Sequence, residues 1–448
     1  MAAPAGGHAG GPPWARSVIA ASALVGAMAL LTLLAPPSNP DRAAAACVYL
    51  IELPRGRQLA FGCDGFTFLR GAVDPSLLLE PTFAPPTDFT YQSRPLHIGL
   101  AAVLGRILQP VAALAVPADA RFQGRTPIRR FAGAYAAYVL INAGLLVAAG
   151  IALHDALVGL DRPPNTREMA ALLAAFAFMI LSRMVKLWLF TPHTILWGIL
   201  IPLWALAVGR RILTDTGSPP ARTLRRAAGA AGLAALAYGY AVLVPATGAV
   251  ALGLRYGGTA GPRRGLLPWL RAVTPAVGLF LLPPLAWVAI SHAVSGGFHS
   301  HEAEGYGQFR WLPDALAVGP AHALTVALQA AAWWTRTAGR ELAVPAMVLA
   351  ALLAVAGITG ASLGGLLSRQ RALFAAVACV LGLGIAFWYL NGNTLRGRVS
   401  TLAPVVQAAT VAVALDLDRR ADRTLWTGLL AVLALAGGVW TVAGRPTF

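Results

Sequence analysis

Apolar residues in this chain gather into long unbroken runs rather than alternating with polar ones. Eleven such runs fall at 17–36, 96–116, 131–153, 169–187, 192–209, 227–252, 272–294, 342–366, 372–390, 400–415 and 425–443. Most are near the 20 residues that an α-helix needs to cross about 30 Å of hydrocarbon. They lack the period-two pattern of an outer-membrane strand, which excludes a β-barrel. The pattern predicts an all-α fold: a polytopic transmembrane helical bundle of about eleven spans.

Two long polar stretches interrupt the runs, at 37–94 and from Ser295 onward. In the second, Asp314, His322, Thr325, Gln329, Arg336 and Arg340 recur at spacings that share one helical face, opposite Ala, Val, Leu, Trp333 and Trp334. That pattern predicts a helix over 314–340 lying in the membrane interface. No internal repeat is visible, which weighs against a transporter built from inverted halves. Residues 1–16, rich in Gly, Ala and Pro, are expected to be disordered.

Composition agrees with the pattern. The 448 residues are 57% hydrophobic and only 12% charged, too little polar surface for a soluble protein of this length. The net charge is +17, and nearly all of it is arginine, because Lys186 is the only lysine. In a membrane protein such arginines mark cytoplasmic ends. Arg121, Arg125, Arg129 and Arg130 then place the loop after the second run inside, as Arg255, Arg263, Arg264 and Arg271 do before the seventh. The segment 210–226, with Arg210, Arg211, Arg222, Arg225 and Arg226, dissents: alternation puts it outside. Either those arginines bind something there or a run within 169–254 is re-entrant. Cys47 and Cys63 share the first polar stretch and are a candidate disulfide on an oxidising side. Cys379 sits in an apolar run.

Chemistry concentrates in three polar stretches. The first reads Cys63-Asp64-Gly65-Phe66-Thr67-Phe68-Leu69-Arg70 and later Tyr91-Gln92-Ser93-Arg94-Pro95-Leu96-His97. Asp64, beside a glycine and two aromatics, is the candidate base for an inverting glycosyl transfer, which takes a proton from an acceptor hydroxyl. The plainer reading is a solvated loop carboxylate. The second runs from His299 through His301, Glu302, Glu304 and Tyr306 to Trp311. Its His-x-His-Glu-x-Glu spacing offers nitrogen and oxygen ligands for a divalent ion, or substrate contacts. The third, Tyr389 to Arg398, sets Arg396 and Arg398 where positive charge is disfavoured unless an anion such as a lipid phosphate meets it. Within the runs, Arg106, Arg183, Lys186 and His193 stand out; His193, after Pro192, reads as a helix-entry residue. No Walker A loop, dinucleotide-binding glycine motif or His-Glu-x-x-His is present, so nucleotide-driven chemistry has no support.

The layout resembles the GT-C superfamily of polytopic membrane glycosyltransferases. Asp64 to Leu69 followed by Arg94-Pro95-Leu96 looks like the Asp-x-x-Tyr-Leu … Arg-Pro-Leu pattern of bacterial members, with Phe68 where Tyr is usual. The stretch Leu390 to Arg398 is similar to their late Gly-x-x-x-Arg loop. The resemblance implies a disordered cytoplasmic N-terminus (1–16) and a seven-helix transmembrane core (17–294) with an external loop (37–94). An external loop with the interfacial helix (295–341) and C-terminal transmembrane helices (342–448) follow. It implies a polyprenyl-phosphate sugar donor, a cell-envelope lipid or glycan acceptor, no nucleic acid, and transfer on the external face of a bacterial inner membrane. Asp64 would be the base, and Arg396 or Arg398 would steady the donor phosphate. Arg94, His301, Glu302 and Tyr306 are the substrate-binding candidates. Some members use a divalent metal ion and others none, so no cofactor is fixed. The alternatives are a polytopic transporter or flippase, and a glycan polymerase or ligase with a diphosphate-linked donor.

Overall fold

The computed structural model describes residues 12–35, 48–53, 57–80, 92–116, 121–122, 126–214, 219–260, 262–300, 307–360, 363–392 and 398–443. Most of the expected N-terminal tail, Cys47, Tyr91, Arg125, His301, Glu302, Glu304, Tyr306 and Arg396 lie outside these residues.

The chain is a helical bundle. In order it forms α1 (Ala15–Leu34), a hairpin of β1 (Val48–Leu53) and β2 (Arg57–Gly62), α2 (Cys63–Val73), and α3 (Pro95–Leu114). A two-residue ladder of β3 (Arg121–Phe122) and β4 (Thr126–Pro127) precedes α4 (Ala132–Leu157). Then come α5 (Thr166–Ile180), α6 (Arg183–Trp188), α7 (Trp197–Thr214), α8 (Pro220–Ala235), α9 (Leu243–Ala260) and α10 (Pro262–Ser295). After the second polar stretch follow α11 (Trp311–Val318), α12 (Pro320–Ile358), α13 (Leu363–Arg369), α14 (Arg371–Asn391), α15 (Ala403–Ala421) and α16 (Leu425–Ala443). Nine helices among the described residues are long and apolar enough to cross a membrane. Their outward residues, such as Val103, Leu282, Val432 and Trp440, are exposed leucine-like surface of the kind that hydrocarbon covers.

Packing corrects which helices cross. Gly105 and Gly133 let α3 and α4 touch backbone to backbone: a Cβ on Gly133 would lie 2.3 Å from the Gly105 carbonyl oxygen. The His97 ring lies 5.1 Å from that of Tyr138, while Gln109 donates to the Arg129 carbonyl (2.8 Å) and accepts from the Gly133 N–H (2.7 Å). About 18 Å along α3 therefore answers to only about 8 Å along α4. Helix α3 leans across one end of the bundle, and both its termini stay there. The expected cytoplasmic loop with Arg129 and Arg130 thus sits at the same end as Asp64. Hydropathy also merges what the fold separates. The run at 227–252 is two helices, α8 and α9, joined by a 3₁₀ turn at Gly239–Val242, and the run at 169–187 is α5 and α6 broken at Leu181 and Ser182. The two errors compensate. Helices α1, α4, α5, α7, α8, α9 and α10 traverse the bundle before residue 295, and α12, α14, α15 and α16 after it.

The corrected parity resolves the dissent at 210–226. Arg210 donates to the Asp155 carbonyl (2.8 Å), Arg211 pairs with the Asp155 carboxylate (2.8 Å), and Arg255 donates to the carbonyl of Ile212 (2.6 Å). These belong to one lower end. There buried Glu168 meets Arg162 (2.6 Å) and Arg419 (3.0 Å), and buried Asp416 meets Arg369 (2.8 Å) and Arg420 (3.0 Å). Glu168 also completes a capping box with Asn165 at the start of α5, and Asp418 accepts the Trp426 and Thr427 N–H groups (both 2.8 Å) that open α16. At the opposite, upper end, Lys186 donates to the Val442 carbonyl (2.6 Å) and so caps the last turn of α16.

The expected interfacial helix differs as well. Asp314 lies on α11, and Gly319, with φ of 149°, separates it from the rest of its stripe. His322, Thr325, Gln329, Arg336 and Arg340 lie exposed on α12, which runs without a break into the expected span at 342–366. Its 39 residues reach about 58 Å, nearly twice the hydrocarbon thickness. A 3.6-residue pattern cannot show where a continuous helix leaves the membrane.

In a cysteine-free background, a membrane-impermeant maleimide will label Arg129→Cys from the same side as Asp74→Cys, and Arg222→Cys from the opposite side. Labelling of Arg129→Cys and Arg222→Cys from one side would refute this parity.

Candidate functional site

The upper end gathers the described candidates. Helix α2 starts at Cys63, so Asp64 stands in its first turn, where a carboxylate suits the exposed N–H groups. Two residues on, the chain turns apolar: Phe66 lies against Phe131 (5.5 Å), and fully buried Phe68 meets the rings of His97 (5.6 Å), Tyr138 (6.2 Å) and His193 (5.6 Å). The Tyr138 hydroxyl donates to the Phe68 carbonyl (2.9 Å). This core anchors α2 and leaves the Asp64 side chain 54% exposed beside it.

Opposite Asp64 runs the non-helical segment after α6. Its backbone carbonyls need donors inside the bundle. Asn142 on α4 supplies one amide to the carbonyls of Trp188, Leu189 and Thr191 (3.0–3.1 Å), and the Tyr135 hydroxyl donates to that of Phe190 (2.8 Å). The pinned segment presents His193 and Thr194. His193 Nε2 lies 3.8 Å from Asp64 Oδ2, its ring packs 4.8 Å from Trp188, and its Nδ1 accepts the Ile195 N–H (3.0 Å). Burial, together with Arg94 and Arg398 nearby, holds the imidazole below the usual histidine range, although Asp64 pulls the other way.

Thr194 reaches the second part of the site. Buried Arg94, at the start of α3, donates to the Thr194 hydroxyl and to the Ala237 carbonyl (3.5 Å), and its guanidinium lies 5.1 Å from the Tyr238 ring centre. Arg398 faces the Trp388 ring at 5.7 Å. Both arginines line one cavity of about 230 Å³, together with Tyr238, Tyr240, Phe387 and Trp388. Gln308 and Asn391 close one wall through an amide hydrogen bond (2.8 Å), and Phe309 beside them holds a left-handed φ of 62°. The Tyr238 hydroxyl, Gln308 Nε2 and Asn391 Oδ1 are buried with no partner among the described residues. Such groups suit a hydroxylated ligand.

Asp64, Arg94 and Arg398 thus come together, although Asp64 flanks the cavity rather than lining it. The candidates His301, Glu302, Tyr306 and Arg396 fall outside the described residues. Sequence reasoning missed Tyr238 and Trp388 as site residues and took His193 for a helix-entry residue. One signal was present: the Tyr-Gly-Tyr at 238–240 interrupts an otherwise apolar run. Among the described residues no three His, Cys, Asp or Glu side chains group to hold a metal ion.

No protein-family model matches the sequence, and neither does any curated protein. Among solved structures, the Archaeoglobus fulgidus oligosaccharyltransferase in complex with Zn and sulfate is similar at a TM-score of 0.45 and 14% identity, over 96% of this chain and 54% of that one. The archaeal oligosaccharyltransferase AglB from the same organism, in complex with an inhibitory peptide and a dolichol-phosphate, is similar at 0.45 and 14%, over 97% and 57%. The chain spans little more than half the length of these structures.

Replacing Asn142 by Leu removes the amide donor of the Leu189 and Thr191 carbonyls, while that of Trp188 keeps the Thr191 N–H (3.2 Å). The expected cost is about 1–3 kcal/mol, read as a lower unfolding midpoint of the purified protein; an unchanged midpoint would refute the pinning role.

Proposed function

We propose that the protein is a membrane glycosyltransferase that moves one sugar, with inversion, from a polyprenyl-phosphate donor to a cell-envelope lipid or glycan. The observation that carries this reading is the pair of guanidinium groups, Arg94 and Arg398, on one aromatic cavity beside an exposed carboxylate. A cavity of about 230 Å³ is below the usual ligand-pocket range of about 300–1,000 Å³. It suits a sugar ring and a phosphate better than an oligosaccharide. The resemblance of the Asp64–Leu69 and Arg94–Leu96 stretches to the GT-C pattern supports the same reaction. The arginine-dense lower end fits the cytoplasm, which turns the site to the external face of a bacterial inner membrane.

In this reading the acceptor hydroxyl gives its proton to Asp64 and attacks the anomeric carbon from the side opposite the phosphate. The bond from that carbon to the phosphate oxygen breaks, and polyprenyl phosphate leaves with one more negative charge. Arg398 and Arg94 meet that charge. Arg94 is already fixed by Thr194 and Ala237, so little reorganisation is needed as the charge develops. Tyr238 and Trp388 offer ring faces to the sugar. No step requires a metal, and His301, Glu302, Tyr306 and Arg396 remain proposed substrate contacts.

The full chain in lipid vesicles, given polyprenyl-phosphate-linked sugars and envelope lipid extract, is expected to release polyprenyl phosphate. Asp64→Asn should lose about 10²-fold or more in kcat, and Arg398→Ala about 10²–10³-fold. Wild-type turnover by Asp64→Asn would remove the base role. Release of a polyprenyl diphosphate would favour a polymerase or ligase instead.

A further inference from the structure

The partner of Asp64 is a histidine whose protons are already assigned by its surroundings. Nδ1 of His193 accepts the Ile195 backbone N–H at 3.0 Å, so the neutral ring carries its hydrogen on Nε2. That nitrogen is the one facing Asp64, 3.8 Å from Oδ2. The ring has little freedom to turn. Its side chain is 11% exposed, Trp188 packs on it at 4.8 Å, and Phe68 meets it edge-on at 5.6 Å. The segment bearing it is tied to α4 through Asn142 and Tyr135.

We propose that His193 is a positioning residue for Asp64, donating from Nε2 to Oδ2 so that Oδ1 is the oxygen that receives the acceptor proton. The proposal rests on the reading of Asp64 as base. A separation of 3.8 Å is a charge contact, and a small side-chain rotation brings it to hydrogen-bond length, as catalytic contacts commonly tighten with substrate.

The same geometry excludes a relay through the histidine. Accepting a proton at Nε2 is impossible while that nitrogen already bears one, and protonating Nδ1 would break the bond from Ile195. Among the described residues the charged and titratable groups around the ring are Asp64, Arg94, Arg398 and His97. Burial above all, helped by the two arginines and opposed by Asp64, holds the imidazole below its usual range. The proton therefore passes from the acceptor oxygen to Oδ1 of Asp64, the O–H bond breaking as the new one forms. It then leaves to water through the exposed side of that carboxylate.

The test compares three replacements in the full chain. His193→Phe keeps a ring but removes the donor. His193→Gln carries an amide that reaches the Nε2 position, and His193→Asn one that does not. For His193→Phe the expected result is a fall in kcat of about 10–100-fold with KM within about 2-fold. The acid limb of the kcat/KM profile should move up by about one pH unit, because the carboxylate loses a donor to its charged form. His193→Gln should restore most of kcat and the original limb, and His193→Asn should not. An unmoved limb in His193→Phe, or equal activity of the Gln and Asn variants, would overturn the positioning role. If His193→Phe fails to fold, the Gln and Asn pair still decides. Wild-type turnover by Asp64→Asn would instead sink the base reading itself, and an inactive Asp64→Asn with an unmoved limb would sink only the role of His193.

Discussion

A backbone that leaves the helix inside an apolar bundle must find new hydrogen-bond partners, because neither lipid nor packed side chains supply them. The site depends on how this chain meets that demand between α6 and α7. Asn142 and Tyr135 of α4 donate to the carbonyls of residues 188–191 and hold the break open in one shape. His193 and Thr194 project from that shape. The first faces Asp64 and the second holds Arg94, so two elements of the candidate chemistry are set from one short pinned segment.

The two ends of the bundle use arginine in different ways. At the lower end buried Asp155, Glu168 and Asp416 each meet at least one guanidinium, and the pairs Arg211–Asp155, Arg419–Glu168 and Arg369–Asp416 tie helices that are distant in sequence. Removing the guanidinium partners would leave a buried carboxylate unpaired, which is where such pairs matter most to stability. At the upper end Arg94 and Arg398 lie over aromatic rings and beside an open cavity. Arg94 also donates to Thr194 and to the Ala237 carbonyl. The same residue type thus ties helices together at one end and lines the candidate cavity at the other.

Small residues and prolines give the bundle its less regular features. Gly105 on Gly133 lets α3 lie against α4 at an angle, which turns an apolar helix into a roof over one end. Gly392, left-handed at the end of α14, sits so close to the Trp311 ring that a Cβ would collide with it at 2.3 Å. Beside it the Phe309 N–H donates to the Asn391 carbonyl (3.3 Å), which joins the end of α14 to the cavity wall of Gln308 and Phe309.

The sequence by itself determined the class of the protein. Long apolar runs must form helices in lipid, and so few charges cannot cover a soluble core. The first polar stretch and its carboxylate were legible, and so were Arg94 and Arg398, because polar residues beside apolar runs are costly and stand out. The direction of the chain was not legible. Hydropathy measures whether a segment tolerates lipid, and α3 tolerates it while staying at one end; only its contact with α4 shows that. Nor could the sequence pair Asp64 with His193, or bring Tyr238 and Trp388 to the two arginines. Those meetings follow from helix packing between residues far apart in the chain, a property of surfaces in three dimensions that no local pattern encodes.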